Sequence, residues 1–348
     1  MTFMKVGILT AGGDCPGLNA VIRAASRKLL NEGHEPVGLL RGYQGLADRL
    51  FMELDRRAVS GILTLGGTIL STSSYNPYRE PDGLEKIKRA VDEEGFDAII
   101  AIGGEHTMHM TGRMFDEDGI PTIGVPKTID NDVPATDYTF GFNSAVQIAT
   151  FAIDRLHTTA ASHNRIMILE VMGRNTGWIA LFSGIAGGAD AIVIPELELT
   201  VEEIAAGIRK RHEAGKDFSI VVVAEGAELA FDSGEKRTIR VSEDTDEYGY
   251  PRLGGIGAAL AKELESATGY ETRVTVLGHV QRGGTPTAND RILATQYGVK
   301  AAELAMAGEF GRMASLRGTE ITSVPLSEVQ GIKTVDLRYL EIARTFFG

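Results

Sequence analysis

The chain has 348 residues, 43% hydrophobic and 24% charged, with a formal net charge of −12 and a single cysteine. That length exceeds one small core and suits two domains, the first expectation, or one large α/β domain with insertions, while the acidic balance argues against a nucleic-acid or anionic-membrane surface, because phosphate backbones are held by clustered lysine and arginine. No apolar run is long enough to cross a bilayer, the N-terminus MTFMKVGILT reads as a strand rather than a signal peptide, and Cys15 alone admits neither an intrachain disulfide nor a cysteine metal cluster, so a cytoplasmic protein is expected.

Apolar runs of strand length alternate with amphipathic helical patterns, the signature of βαβ units and mainly parallel sheets. The run KVGILT (5–10) leads through AGGDCPG into a helix with Leu18, Val21, Ile22, Ala25, Leu29 and Leu30 on one face, ending near Gly33. Strands follow at 37–40, 97–104 and 121–126, with a helix marked by Leu84, Ile87, Ala90 and Val91 before the second of them. A long helix through Val146, Ile148, Ala149, Ile153 and Leu156 opens a second set of units. Its strands read at 165–171, 191–195 and 218–226, and the capping box Thr200 to Glu203 starts a helix between the last two. Residues 227–252 are polar and poorly periodic and read as a surface excursion. The strand-like ETRVTVLG (271–278), the loop QRGGTP and a helix from Ala288 to near Met306 follow.

In parallel sheets ligands bind beyond the carboxyl ends of the strands, and here those loops are rich in glycine and charge: TAGGDCPG, LGGTIL, IGGEHT, PKTIDND, MGRNTG and HVQRGGTP. Glycine lets the backbone approach a phosphate, and a following helix N-terminus adds a favourable field. A glycine pair taken singly signals only a tight turn. Neither the dinucleotide fingerprint nor the P-loop pattern is present. The segment PKTIDND is too polar for a core: in an extended segment Asp130 and Asp132 point the same way, one to accept a proton from an attacking hydroxyl and the other to orient substrate or a hydrated metal, with Lys127 to neutralise a phosphoryl group. A solvated turn held by a local Asx bond is the alternative for that segment alone. Arg165, Arg174, Arg273, His279 and Arg282 lie at or beside strand ends, where arginine can grip phosphate with two hydrogen bonds. A base, a lysine, an acid for Mg2+ and an arginine cluster suggest phosphoryl transfer between phosphorylated compounds.

The segments GGDCPGLNAVIR, GGTIL, PKTIDND, TDYTFGF, SHNRIMILEVMGR, AGGADAIVIPE and ETRVTVLGHVQRGGTPTANDR resemble, in order and spacing over nearly the whole chain, the phosphofructokinase family. They are most similar to its actinobacterial-type members, which use ATP or pyrophosphate. The resemblance implies an α/β phosphofructokinase fold of two Rossmann-like domains with mainly parallel sheets flanked by helices. Residues 1–141 with 281–325 would form a larger donor-phosphate and Mg2+ domain, and 142–280 with 326–348 a smaller sugar-phosphate domain. Fructose 6-phosphate would lie in the cleft, its C1 hydroxyl attacking the donor's terminal phosphate. Asp130 matches the general base, and Thr128, Lys127 and Arg174 complete the catalytic set. Gly12, Gly13, Gly104, Glu105, His106 and Thr107 match the donor-phosphate loops, with Glu105 the ligand for Mg2+. Asp132, Met172, Gly173, Arg174 and Glu225 match sugar contacts, and Arg165, Arg273, His279 and Arg282 the clamp on the 6-phosphate. Arg165 and Arg273 would reach in from a neighbouring subunit of a homotetramer or homodimer.

The donor side departs from the family pattern. Where ATP users carry glycine and pyrophosphate users aspartate, this chain has His106, whose ring fills space needed for an α-phosphate. Met110 stands where ATP users are usually small, and Ser74 where the family usually places an arginine bridging both phosphates, a charge that Lys127 or Arg79 would have to replace. The bulk of His106 and Met110 leans the donor toward pyrophosphate. They also leave open a kinase for a different sugar phosphate, or a sugar-phosphate-binding regulatory protein with little catalysis. Arg23 and Arg27 match effector positions, but His157 replaces an arginine and only Lys216 remains of the lysines expected near Gly215. His34 and His212 are expected in solvent, His163 as a hydrogen-bonded structural residue, and Trp178 in packing.

Overall fold

The structure, a computed structural model, describes residues 3–230, 236–237, 240–245 and 251–347. The chain forms two compact units, Met1–Ser144 with Arg282–Ile332, and Ala145–Gln281 with Lys333–Gly348. No helix among the described residues is long and apolar enough to cross a membrane.

The first unit is built on a mainly parallel sheet. Its strands run, in spatial order, Glu320–Pro325, Arg312–Arg317, Thr122–Thr128, Ala98–Gly103, Lys5–Thr10, Glu35–Leu39 and Phe51–Glu53, and the two residues Phe140–Gly141 pair with the strand Thr122–Thr128. Only the outermost pairs are antiparallel. Every residue of Ala98–Gly103 is buried, and five of six in Lys5–Thr10, as expected of strands covered on both faces. The helices Leu18–Asn31 and Ala288–Ala307 lie together, and Gly298 permits the approach: a Cβ there would stand 2.6 Å from the Val21 carbonyl oxygen. The chain leaves Lys5–Thr10 for one neighbour, Glu35–Leu39, and returns to the other side at Ala98–Gly103. That reversal is a topological switch point, and the crevice it opens lies beyond the strands' carboxyl ends.

The second unit carries a parallel sheet ordered Thr272–Val276, Ile166–Val171, Ser219–Ala224 and Ala191–Val193. Its core joins Ile168, Val193, Val221 and Val223 to Ile204, Ile208, Ile256 and Leu260 of the helices Val201–Glu213 and Ile256–Thr268. The capping box is present: Thr200 Oγ1 accepts from the Glu203 N–H at 3.1 Å, and the Thr200 N–H donates to Glu203 Oε2 at 2.8 Å. The described part of 227–252 holds short strands, Leu229–Ala230 pairing with Leu199–Thr200; the remainder of that expected excursion lies outside the described residues.

Several local expectations change. Residues 326–332 belong to the first unit, not the second, because Leu326 and Val329 pack with Met108, Val133 and Met313. Ser144 stays with the first unit through Asp290 Oδ2, which accepts from its N–H at 2.7 Å and its hydroxyl at 2.6 Å. His34 is buried rather than solvated and its Nδ1 accepts from the Met4 N–H at 3.2 Å. His212 stacks on Tyr270 with ring centroids 3.9 Å apart, whereas His163 is exposed at its helix end. Trp178 is buried beside Phe182, its Nε1 donating to the Lys333 carbonyl at 3.0 Å.

Candidate active site

Three loops follow neighbouring strands of the first unit. After Lys5–Thr10, Gly12 adopts φ 77°; its N–H donates to the Ser73 carbonyl at 3.0 Å and its own carbonyl accepts from the Thr72 hydroxyl at 2.6 Å. At Gly13 a Cβ would lie 2.9 Å from Arg282 Nη1, so a side chain at 13 would displace the guanidinium. The Lys127 ammonium donates to the Gly13 carbonyl from a position only 4% exposed. Burial pulls its pKa below the ordinary lysine value, with the nearby Arg282 charge adding to the fall and Asp14 and Asp130 opposing it. Burial likewise pushes the Cys15 thiol up, leaving a protonated sulfur 3.7 Å from the Phe140 carbonyl.

After Ala98–Gly103, Gly104 caps the helix Glu105–Asp116 without a side-chain hydrogen bond. The first intrahelical bond comes from the Met108 N–H, 3.0 Å from the Gly104 carbonyl, so the N–H groups of Glu105, His106 and Thr107 form the positive end of the helix. His106 Nδ1 lies 3.0 Å from Glu105 Oε2, with side-chain exposures of 56% and 24%. The ring is therefore turned onto the neighbouring carboxylate. Thr107 is buried, and Met110 packs half-buried against the core of Leu9, Tyr43 and Ala101, which spends on packing the bulk expected to narrow a nucleotide path. Among the described residues no three His, Cys, Asp or Glu side chains gather as a metal cage. Magnesium does not require one, since it keeps several waters and is typically held by one or two carboxylates plus substrate phosphate, and Glu105 at a helix N-terminus fits that mode.

After Thr122–Thr128 the chain turns instead of extending. Asn131 is fully buried at φ 51°, its Oδ1 accepting from the Thr139 N–H at 3.0 Å, while the Thr139 hydroxyl donates to the Thr128 carbonyl at 2.9 Å. The left-handed residue between Asp130 and Asp132 removes the alternation on which their shared direction was expected. Asp130 is instead set by its N–H donating to Thr128 Oγ1 at 3.1 Å, and both aspartates are half-buried. Asn131 was not singled out by sequence; asparagine's tolerance of the left-handed region was the available signal.

In the second unit, the carboxyl ends of the strands bring together Met172, Gly173, Arg174 and Glu225. The Met172 N–H donates to Gln281 Oε1 at 2.7 Å, Gly173 sits at φ 135° with its carbonyl accepting from Gly226, and the Glu225 N–H donates to Val171 at 2.9 Å. His279 is exposed in the turn Gly278–Arg282 after Thr272–Val276. Gln281, fully buried and accepting from the Met172 N–H, was not singled out by sequence. Arg165 and Arg273 are elsewhere: they lie at the N-terminal ends of Ile166–Val171 and Thr272–Val276, where Arg165 Nε donates to Glu271 Oε2 at 2.5 Å and Arg273 Nη2 donates to Glu271 Oε1. At ~3.3 Å per residue, Arg165 lies seven steps or about 23 Å from Met172, and Arg273, in register with Met167, five steps or about 17 Å. Within the second unit Arg165 and Arg273 therefore stand at the opposite strand end from Met172, and Arg282 belongs to the first unit, beside Gly13. His157, at an expected effector position, has its Nε2 hydrogen-bonded with the Gly187 carbonyl at 2.7 Å.

Mainly parallel sheets flanked by helices, with glycine loops, a helix N-terminus and a buried lysine at the first unit's switch point, make this an α/β protein suited to holding phosphate. The chain belongs to the phosphofructokinase family, whose model matches residues 5–305. It is 52% identical over 347 residues, 99% of this chain and 100% of the relative, to the pyrophosphate–fructose 6-phosphate 1-phosphotransferase of Streptomyces coelicolor. It is 51% identical over 346 residues, 97% of this chain and 98% of the relative, to ATP-dependent 6-phosphofructokinase 3 of the same organism. The T-state phosphofructokinase of Pichia pastoris superposes with TM-score 0.80 at 32% identity, covering 94% of this chain, which spans 35% of the length of the yeast chain. The fold is shared with a pyrophosphate-dependent phosphofructokinase of Nitrosospira multiformis, TM-score 0.82 at 20% identity, over 99% and 92% of the two chains.

Proposed function

We propose that the protein is a Mg2+-dependent 6-phosphofructokinase, transferring a phosphoryl group from pyrophosphate or ATP to the C1 hydroxyl of fructose 6-phosphate to give fructose 1,6-bisphosphate. The observation that carries this reading is the conjunction, at the first unit's switch point, of the Glu105 helix N-terminus, the buried Lys127 and the fixed Asp130 loop. Asp130 takes the C1 hydroxyl proton as the oxygen forms its bond to the terminal phosphorus and the bond to the leaving phosphate or ADP breaks. Gly12, Gly13, Gly104 and the N–H groups of 105–107 cradle the donor, and Lys127 opposes its charge. When bound through Glu105, magnesium supplies charge neutralisation to the donor phosphates. Thr128 sets Asp130, while Asp132, Met172, Gly173, Arg174 and Glu225 hold the sugar. The first unit serves the donor and the second the acceptor.

The 6-phosphate is held by His279 and Arg282 together with Arg165 and Arg273 of a second copy in a homotetramer or homodimer, the arrangement that the ~20 Å separation along the strand favours. The reaction is placed in the cytoplasm, where sugar phosphates are made and used.

Pyrophosphate is the favoured donor because His106 puts a ring in the first turn of the helix Glu105–Asp116, whose N-terminus is assigned to the donor's phosphates; with Met110 packed against the core, that ring carries the steric argument alone. Assays of the purified protein with both donors test this. Turnover with pyrophosphate should exceed that with ATP, His106→Gly should shift the ratio toward ATP, and Asp130→Asn should lower kcat by about a hundredfold or more. Fast turnover with ATP alone would reverse the donor assignment. Activity retained by Asp130→Asn, or a clear preference for another sugar phosphate in a panel of acceptors, would overturn the reaction.

A further inference from the structure

Arg165 and Glu271 each stand just before a strand of the second unit's sheet. Pairing of Thr272 with Ile166 sets them side by side, and the Ile166 N–H donates to the Glu271 carbonyl at 3.0 Å. The Glu271 carboxylate divides its oxygens, Oε2 taking Arg165 Nε at 2.5 Å and Oε1 taking Arg273 Nη2, while Arg273 Nη1 donates to the Thr272 carbonyl at 3.0 Å. The hydrogen bond from Arg165, reinforced by both positive charges, holds the Glu271 carboxyl below its ordinary range. All three side chains reach solvent, with exposures of 27% for Arg165, 41% for Glu271 and 52% for Arg273. One anion is thus already seated between two arginines at a surface open to another.

We propose that Glu271 is the resident counter-ion of the Arg165–Arg273 pair, and that a phosphate monoester binds this pair by displacing it. The inference rests on the reading that these arginines receive the acceptor's phosphate. A carboxylate offers one oxygen to each guanidinium, whereas a phosphate brings three oxygens and nearly two charges, so it can engage both arginines more fully. Exposed ion pairs are weak, which makes Glu271 displaceable. While the site is empty it also keeps two like charges gathered. Its competition lowers the pair's affinity for phosphate, so Glu271 acts as a positioning residue that holds the arginines together and yields to the incoming anion.

The test is Glu271→Gln in the full-length protein, which keeps the side chain's shape and removes its charge. Calorimetric titration with inorganic phosphate and with fructose 6-phosphate should show binding about three- to fivefold tighter than wild type, with fructose itself unchanged. The KM for fructose 6-phosphate should fall by the same factor at constant kcat. In the double variant Arg165→Gln/Glu271→Gln the gain should vanish. Equal or weaker phosphate binding by Glu271→Gln, a gain that survives in the double variant, or no phosphate binding by any of the chains would overturn the proposal. Should wild type turn over with neither donor, the assigned reaction falls, and the phosphate titration still decides the part played by Glu271.

Discussion

At the scale of single residues, Lys127 sets stability against function. Its ammonium is buried and hydrogen-bonded to a neutral carbonyl, and burial depresses its pKa. A buried charge is expensive unless paired, so the protein without a donor bears a cost that an incoming phosphate anion relieves. Lys127→Met fills the same volume without the charge. It should leave the thermal midpoint unchanged or higher while lowering kcat by about a hundredfold, read by thermal denaturation beside steady-state kinetics. A large loss of both would mean that Lys127 is structural. The sequence marked Lys127 and Asp130 because PKTIDND is too polar for a core. It could not mark Asn131, whose importance lies in a backbone conformation and a bond to Thr139, eight residues away.

At the scale of elements, periodicity was legible and pairing was not. Continuous apolar runs exposed the central strands, and Thr200 to Glu203 announced a helix start found where expected. The hairpin Arg312–Arg317 with Glu320–Pro325 was missed, because many of its residues are half-buried without a clean alternation and charges stand at both ends of the first strand and the start of the second. Glu170 was missed as well. It interrupts the apolar run RIMILEV, yet is only 2% exposed, since Oε1 accepts from the Gly255 N–H at 3.0 Å and Oε2 from the Gly257 N–H at 2.8 Å. The helix Ile256–Thr268, whose N-cap is a glycine with no side-chain cap, is thus capped from a neighbouring strand. Glu170→Gln replaces one acceptor oxygen with a donor that faces another N–H. It should cost about 1–3 kcal/mol in urea denaturation, with donor KM unchanged. A loss within error would show that this cap does not hold the helix.

At the scale of the whole molecule, alternating strands and helices revealed two α/β units, and the site's loops could be found at the carboxyl end of each strand. The end of the strand on which a basic residue lies was the missing distinction. Arg174 and His279 come after strands, whereas Arg165 precedes one and Arg273 is the second residue of another, so strands of five and six residues divide a set that looked single in sequence. If the proposed reaction uses all of them, no isolated chain holds a complete acceptor site. Chains of Arg165→Ala and of Asp130→Asn, each nearly inactive alone, should then restore measurable turnover when unfolded together and reassembled, because some mixed sites draw an intact Asp130 from one copy and an intact Arg165 from the other. The comparison is with each variant reassembled alone, and sedimentation would establish that mixed oligomers form. Mixed oligomers without regained activity would show that Arg165 does not serve a site on another copy, and would remove the requirement for a second copy.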